Sequence, residues 1–161
     1  MASRSDSTPP LLPSVLDRLL DADPTSQVEA PPYPPAVLRE IRQAVRRDLE
    51  NLLNTRRFYK PPARDDDPLA LSSVGYGIPD FTGGSVDSHV MLAAIRDAIQ
   101  RYEPRLTNIR VTLDDAVEAI DRTLRFRIEA TLWIEPLREP VAFRTRWEST
   151  TSSVQVEGES A

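Results

Sequence analysis

A glutamate and an arginine flank a proline in the stretch RYEPRL, residues 101–106. The proline disfavours helical backbone at the residue before it, so Glu103 is predicted to be extended. Residues i and i+2 of an extended chain point to the same side, so the carboxylate of Glu103 and the guanidinium of Arg105 are expected to emerge together around Pro104. The pair combines a hydrogen-bond acceptor with a planar fork of donors, which suits recognition of polar groups.

Two interpretations of this pair are open from the sequence. In one, Glu103 and Arg105 bind each other or nearby groups, and Pro104 only ends the preceding helix. An exposed pair of that kind contributes about 0–1 kcal/mol. In the other, the stiff Glu-Pro-Arg unit presents its charges to complementary groups of another protein. An acid at the C-terminal end of a helix opposes the helix dipole, so Glu103 needs a compensating group in either case.

Paired carboxylates are also the machinery of glycoside hydrolases, which hold two of them about 5–9.5 Å apart beside a sugar cleft. The candidate acids are Glu103, Asp80, Asp87, Asp114 and Asp115. Arg105 is an unsuitable neighbour for a general acid, and aromatic residues make up only 6% of the chain. A lysozyme-like glycoside hydrolase is therefore an alternative reading, and no catalytic residue is predicted.

The residue types that bind metals and phosphates are scarce or wrongly spaced. The chain has no cysteine and one histidine, His89, which excludes thiolate sites and multi-histidine sites. The acidic run Asp65 to Asp67 lacks the spacing of a calcium loop, so it is interpreted as a solvated charge run. No lysine follows the glycines of SVGYGIPDF in the pattern of a phosphate loop. The sequence predicts neither a cofactor nor a metal.

The composition is that of one soluble domain with tails. The chain has 161 residues, of which 40% are hydrophobic and 28% charged, and its net charge is −5. A negative charge disfavours nucleic acid as the main partner. No run approaches the roughly 18 apolar residues of a membrane span, and the first residues lack the apolar segment of a secretory signal. We therefore expect a cytoplasmic protein without membrane insertion.

Two amphipathic helices are predicted to position the Glu-Pro-Arg unit. The first begins near Pro35, and the second runs from about Val86 to Tyr102, where Pro104 ends it. The apolar stripe of the first helix comprises Val37, Leu38, Ile41, Ala44, Val45, Leu49, Leu52 and Leu53. The stripe of the second comprises Met91, Ala94, Ile95, Ala98, Ile99 and Tyr102. Both stripes are expected to face a common core.

After Pro104 the period of the apolar residues changes from 3.6 to 2, which indicates strands. The first strand includes Ile109 to Leu113, the second Leu124 to Ile134, and the third is VAFRTRWES. The predicted fold is α+β, with two main helices packed on one face of a small antiparallel three-stranded meander. Five arginines fall on the polar side of this meander: Arg110, Arg125, Arg127, Arg144 and Arg146. They form either a solvated face or a docking face for an acidic partner, with Arg144 and Arg146 as candidate contacts.

The domain is predicted to span residues 35–149. Residues 1–34 form a proline-rich arm with a short amphipathic helix at about 12–21, and residues 150–161 are expected to be a flexible tail, although two valines there could extend a strand. Leu16, Leu19 and Leu20 lie on one face of the short helix. A helix of this length is marginal alone in water, so its leucines dock either on the protein's own core or on a partner.

Four stretches resemble the TssE family: PSVLDRLLD, RRDLENLLNTRR, SVGYGIPDF and EPRL. The resemblance spans roughly Pro13 to Trp147. Members of this family are baseplate components of bacterial type VI secretion systems and are similar to the baseplate sheath initiator of contractile phage tails. The resemblance implies a small α+β structural protein that joins the baseplate wedge and templates the first ring of the sheath.

The family's Glu-Pro-Arg motif falls on Glu103, Pro104 and Arg105. The resemblance implies that the motif contacts the core bundle of the wedge proteins TssF and TssG, with TssK a further candidate partner. The sheath proteins TssB and TssC would add strands to an open edge of the sheet. We infer that either the Arg144–Trp147 strand or the Ile109–Leu113 strand supplies that edge. The location would be cytoplasmic, at the baseplate of a membrane-anchored apparatus, and a stand-alone interaction adaptor is the remaining alternative.

Overall fold

The computed structural model describes Leu19 and residues 34–57, 72–81, 87–114, 123–134, 137–148, 151 and 153–159. Two helices come first, α1 (Pro34–Asn54) and α2 (Ser88–Tyr102), with a short 3-10 helix (Ser73–Gly75) between them. Four strands follow: β1 (Leu106–Leu113), β2 (Thr123–Ile134), β3 (Leu137–Glu148) and β4 (Ser153–Glu159). The α+β class predicted from the sequence is confirmed.

Helix α1 buries the stripe that its periodicity predicts. Val45, Leu49 and Leu53 are completely buried, at 0% exposure, whereas Arg39 and Arg46 on the other side are exposed. The helix ends at Asn54, and the next residues leave it to form an isolated bridge between Arg56 and Ile78. Burial of this stripe in the core stabilises the helix.

Helix α2 is bounded by residues with clear local roles. Asp87 is extended, and its side chain accepts a hydrogen bond from the backbone N–H of His89 at 2.9 Å, so it caps the helix start. The helix ends at Tyr102, just before the predicted break. Its buried residues include Ile95 and Ile99, which face the same core as α1.

The sheet is antiparallel, with the strand order β1-β2-β3-β4. The prediction of three strands was wrong, because Ser153–Glu159 lies in the segment expected to be a flexible tail and forms β4 along β3. The serines and threonines around it favoured a tail. Yet Val154 and Val156 alternate with polar residues and are 3% and 2% exposed, so burial beneath the helices holds the strand in place.

A bulge in β1 changes the face of the sheet to which its later side chains point. The register shifts between Thr107 and Arg110, and Asn108 has a left-handed φ of 53°. Asparagine tolerates that region better than most residues, and an extra residue in a strand turns all later side chains over. Both Leu106, before the bulge, and Ile109, after it, therefore pack towards the hydrophobic core.

Both helices lie on one side of the sheet, where α1 contacts β4 and α2 contacts β1. The sheet contributes several buried side chains to this core, among them Phe126, Ile128, Leu132 and Phe143. β3 lies between β2 and β4, so the inference that the Arg144–Trp147 strand is an open edge was wrong. The two outer strands are β1 and β4.

Several sequence predictions concern residues at the margin of the described chain. Leu19 is helical and 75% exposed, whereas Leu16 and Leu20 lie outside the described residues. The acidic run Asp65 to Asp67 also lies outside them. Among the helices that the structure describes, none has the length and apolar character needed to cross a membrane.

Candidate functional site

The loop containing SVGYGIPDF is fastened to the end of α1 by backbone hydrogen bonds. The N–H of Ile78 donates to Thr55 O at 2.9 Å, and the N–H of Arg57 donates to Ile78 O at 3.0 Å. Gly77 makes this close approach possible. Its φ is +106°, and a Cβ on it would lie 2.4 Å from the carbonyl oxygen of Thr55. The attachment brings Tyr76, one residue earlier, towards the end of α2.

The junction between α2 and β1 is a tight turn around Pro104. The backbone N–H of Glu103 donates to Ile99 O at 2.9 Å, and the N–H of Leu106 donates to Glu103 O at 3.1 Å. Glu103 has left the helical region, with φ −122° and ψ 78°. The proline thus ends the helix as predicted, and Pro104 itself is exposed.

Glu103 and Arg105 form a two-pronged ion pair inside the molecule. Nε of Arg105 donates to Oε1 of Glu103 at 2.6 Å, and Nη2 donates to Oε2 at 2.6 Å. Glu103 is only 4% exposed, whereas the side chain of Arg105 is 27% exposed. This parallel arrangement is the strongest geometry available to an arginine and a carboxylate.

Asp48 of α1 completes the cluster. Nη2 of Arg105 also donates to Oδ2 of Asp48 at 2.6 Å, so Arg105 links the middle of α1 to the α2–β1 junction. Asp48 is not among the site residues predicted from the sequence. The available signal was an acid directly beside the buried Leu49, on the border of the apolar stripe, where a charge needs a partner.

The charges of the cluster affect its neighbours. Hydrogen bonding to Glu103 raises the pKa of the Arg105 guanidinium above its ordinary value, against the opposing effect of burial and with further support from Asp48. Burial raises the pKa of the Tyr76 hydroxyl, and the negative charges of Asp48 and Glu103 raise it further. The ring of Tyr76 packs edge-to-face against Tyr102 at a centroid distance of 5.3 Å.

This geometry decides part of the question that the sequence left open. Glu103 and Arg105 lie on the same side, as the i, i+2 spacing predicted, but the carboxylate is directed inward and paired. The internal interpretation therefore holds for Glu103. Pro104 and part of Arg105 remain at the surface, and Nη1 of Arg105 makes no hydrogen bond to the part of the chain that the structure describes.

The remaining predicted residues lie away from this cluster. Arg144 and Arg146 are exposed on the face of the sheet opposite the helices, and Arg146 pairs with Glu148 of its own strand at 3.2 Å. Of the other candidate acids, Asp80, Asp87 and Asp114 are exposed, and Asp115 lies outside the described residues. No group of three potential metal ligands occurs among the residues that the structure describes.

Three of the stretches singled out in the sequence meet at this one place. RRDLENLLNTRR supplies Asp48, SVGYGIPDF supplies Tyr76, and EPRL supplies the Glu103–Arg105 pair. We call Asp48, Tyr76, Glu103, Pro104 and Arg105 the junction cluster. Its charged groups are paired with each other, and Pro104 and part of the Arg105 side chain remain at the surface.

Comparison with known proteins assigns a family. A family model described as baseplate wedge protein gp25 matches residues 39–137, which is more than half of the chain and includes the whole junction cluster. The comparison with curated proteins found no match.

Proposed function

Because the chain belongs to the baseplate wedge protein gp25 family, the family that includes TssE, we propose that it is a structural subunit of the baseplate of a type VI secretion system. In this role it joins the wedge and templates the first ring of the contractile sheath. The observation that carries the proposal is the junction cluster, in which three separate stretches of the matched region build one rigid surface feature.

The wedge contact is proposed to use Pro104 and the outer edge of Arg105. The guanidinium of Arg105 donates two hydrogen bonds to Glu103 and a third to Asp48, which fix it in place, so little side-chain entropy is lost when a partner binds it. A carboxylate or a helix C-terminus of the partner fits the remaining Nη1 donors. The proposed partners are the TssF–TssG core bundle, with TssK next to it.

Sheath templating is proposed to use strand addition at β1. The outer edge of β4 is already occupied, because the side-chain amide of Asn54 accepts from Val154 N and donates to Val154 O, both at 2.8 Å. Arg46 also donates to Val156 O at 3.4 Å. Within the described residues no side chain makes hydrogen bonds of this kind to the backbone of Arg110 to Leu113. An incoming strand of TssB or TssC would gain ladder hydrogen bonds there without displacing anything described.

Co-purification tests the wedge contact. The full chain is co-expressed with TssF and TssG and separated by size-exclusion chromatography, beside the variants Arg105→Ala and Arg96→Ala. Arg96 is an exposed arginine of α2 whose one ion-pair partner among the described residues is its neighbour Asp97, so it serves as the matched control. We expect the wild type and the control to co-elute with the wedge proteins and Arg105→Ala to be lost. A wild-type chain that never co-elutes would leave the stand-alone adaptor as the better account.

Hydrogen exchange tests the choice of edge. Amides of Leu106–Leu113 are expected to gain protection when sheath subunits are added, whereas amides of Ser153–Glu159 are expected to stay unchanged. Protection confined to Ser153–Glu159 would place the sheath strand on β4 and contradict the assignment. Substituting Asn54→Ala opens the β4 edge and should not reduce protection at β1.

A glycoside hydrolase is not supported by the geometry of the candidate acid. Both oxygens of Glu103 accept hydrogen bonds from Arg105, so neither is available to a leaving group in a sugar cleft. The family matched is one of baseplate wedge proteins rather than of enzymes. We therefore propose a non-catalytic protein that works by binding.

A further inference from the structure

An exposed aromatic patch lies at the end of the sheet next to the Glu-Pro-Arg turn. Trp133, at the end of β2, is 48% exposed. Arg138, at the start of β3, is also exposed, and its guanidinium carbon lies 4.9 Å from the centre of the Trp133 ring. We call Trp133 and Arg138 the hairpin patch.

The hairpin patch is continuous with the turn through the backbone. The N–H of Trp133 donates to the carbonyl oxygen of Arg105 at 2.8 Å, and Trp133 pairs directly with Arg138 on the other side. Neighbouring strands lie about 4.8 Å apart, so the row Arg105, Trp133, Arg138 crosses about 10 Å of surface. The exposed Pro104 precedes this row in the chain.

The core does not require these side chains. Leu132, the neighbour of Trp133, is 1% exposed and faces the helices, so Trp133 stands on the opposite face. Elsewhere on that face, charged residues pair with each other, as Arg127 does with Glu129 at 3.3 Å. A half-exposed tryptophan in a cation–π contact with an arginine is typical of protein interfaces. Tryptophan and arginine are enriched among the residues that contribute most of the binding energy.

We propose that the hairpin patch is a second anchor for the wedge, and that it takes a protein segment in which an apolar side chain is flanked by carboxylates. The apolar side chain covers the exposed part of the Trp133 indole. The carboxylates meet Arg138, whose guanidinium makes no hydrogen bond or ion pair to the described residues. Among the described acids nearby, Glu139 is bound to Arg42 and Glu103 to Arg105. This inference rests on the proposed function, since it names further residues of the same wedge contact.

The fluorescence of Trp133 gives a direct readout of the patch. The chain has two tryptophans. Trp147 is half-buried, and its indole N–H is unpaired among the described residues. The substitution Trp147→Phe therefore leaves Trp133 as the single fluorescent reporter. When the purified TssF–TssG complex is added to the full chain, we expect the emission to shift to shorter wavelength and acrylamide quenching to fall. Complex formation seen by size-exclusion chromatography without either change would overturn the proposal.

Affinity measurements on variants complete the test. Trp133→Ala and Arg138→Glu are each expected to weaken binding of the TssF–TssG complex at least tenfold, whereas Val90→Ala, at a 59% exposed valine of α2, should bind like the wild type. Equal binding by all three variants would refute the hairpin patch and leave the proposed function intact. A wild type that fails to bind at all would refute the proposed function itself. A concentration-dependent shift of the chain alone would assign the patch to self-association, which also contradicts the proposal.

Discussion

At the scale of single residues, the most consequential feature is that Arg105 serves two carboxylates on different elements. Glu103 has almost no exposed surface, so its charge depends on the two hydrogen bonds from Arg105. Removing one partner of a buried pair is costly because the other charge is left without compensation. The same residue therefore contributes to stability and, through its outer edge, to the proposed wedge contact.

Arg105→Ala is predicted to lower the free energy of unfolding by about 2–4 kcal/mol, because Glu103 would remain buried without its partner. Arg105→Lys keeps the charge but cannot make both parallel bonds, so we expect a loss of about 1 kcal/mol. Urea unfolding of the two variants beside the wild type measures both values. A loss below about 0.5 kcal/mol for the alanine variant would mean that the pair contributes almost nothing to the free energy of unfolding.

Gly77 and Gly158 provide a matched pair of substitutions. Gly77→Ala is predicted to cost about 2 kcal/mol or more, because the residue has φ +106° and its Cβ would meet the backbone oxygen of Thr55 at 2.4 Å. Gly158→Ala should be close to neutral, since nothing lies within 4 Å of its Cβ. Thermal melts compare the two. Equal effects would show that the loop is not held against α1.

At the scale of elements, the main lesson concerns β4. Its valines complete the core beneath α1, and Asn54 at the end of α1 binds the backbone of Val154 with both polar atoms. The end of α1 thus covers the β4 edge of the sheet, whereas the opposite edge is formed by β1. Within the described residues this asymmetry leaves β1 as the edge that we propose for the addition of a further strand.

Removal of residues 150–161 is predicted to destabilise the fold by about 3–6 kcal/mol, because it takes two buried valines out of the core and exposes the edge of β3. A flexible tail would be removable without cost. The measurement is chemical denaturation of the truncated and full chains, with Asn54→Ala as an intermediate case at about 1–2 kcal/mol. An unchanged midpoint for the truncated chain would contradict the packing of β4.

The helices and the first three strands were predictable because their apolar residues repeat at the period of each element. The fourth strand was missed because its short alternation was outweighed by the serines and threonines next to it. The bulge at Asn108 could not be predicted from the sequence either, since no local residue requires a register shift. Asp48 was missed because its position beside the apolar stripe indicates only that it needs a partner, and that partner lies 57 residues away in the chain.

At the scale of the whole molecule, one face of the sheet packs against the helices, and the features proposed to bind partners gather at one end. The junction cluster includes Asp48 of α1, whereas the hairpin patch lies on the opposite face of the sheet. The hydrogen bond from Trp133 N–H to Arg105 O joins the two, and β1 starts from the same turn. A subunit that must join a wedge and start a sheath needs both contacts to be held in a fixed relation. The short, bonded turn at Pro104 supplies that relation.

Photo-crosslinking in assembled particles tests the central claim most directly. A benzoylphenylalanine placed at Gln100, an exposed position one helical turn before Pro104, is predicted to form adducts with TssF or TssG. The same probe at His89, exposed at the other end of α2 about 16 Å away, is predicted to form none with them. Adducts with the wedge proteins from His89 and none from Gln100 would contradict the account.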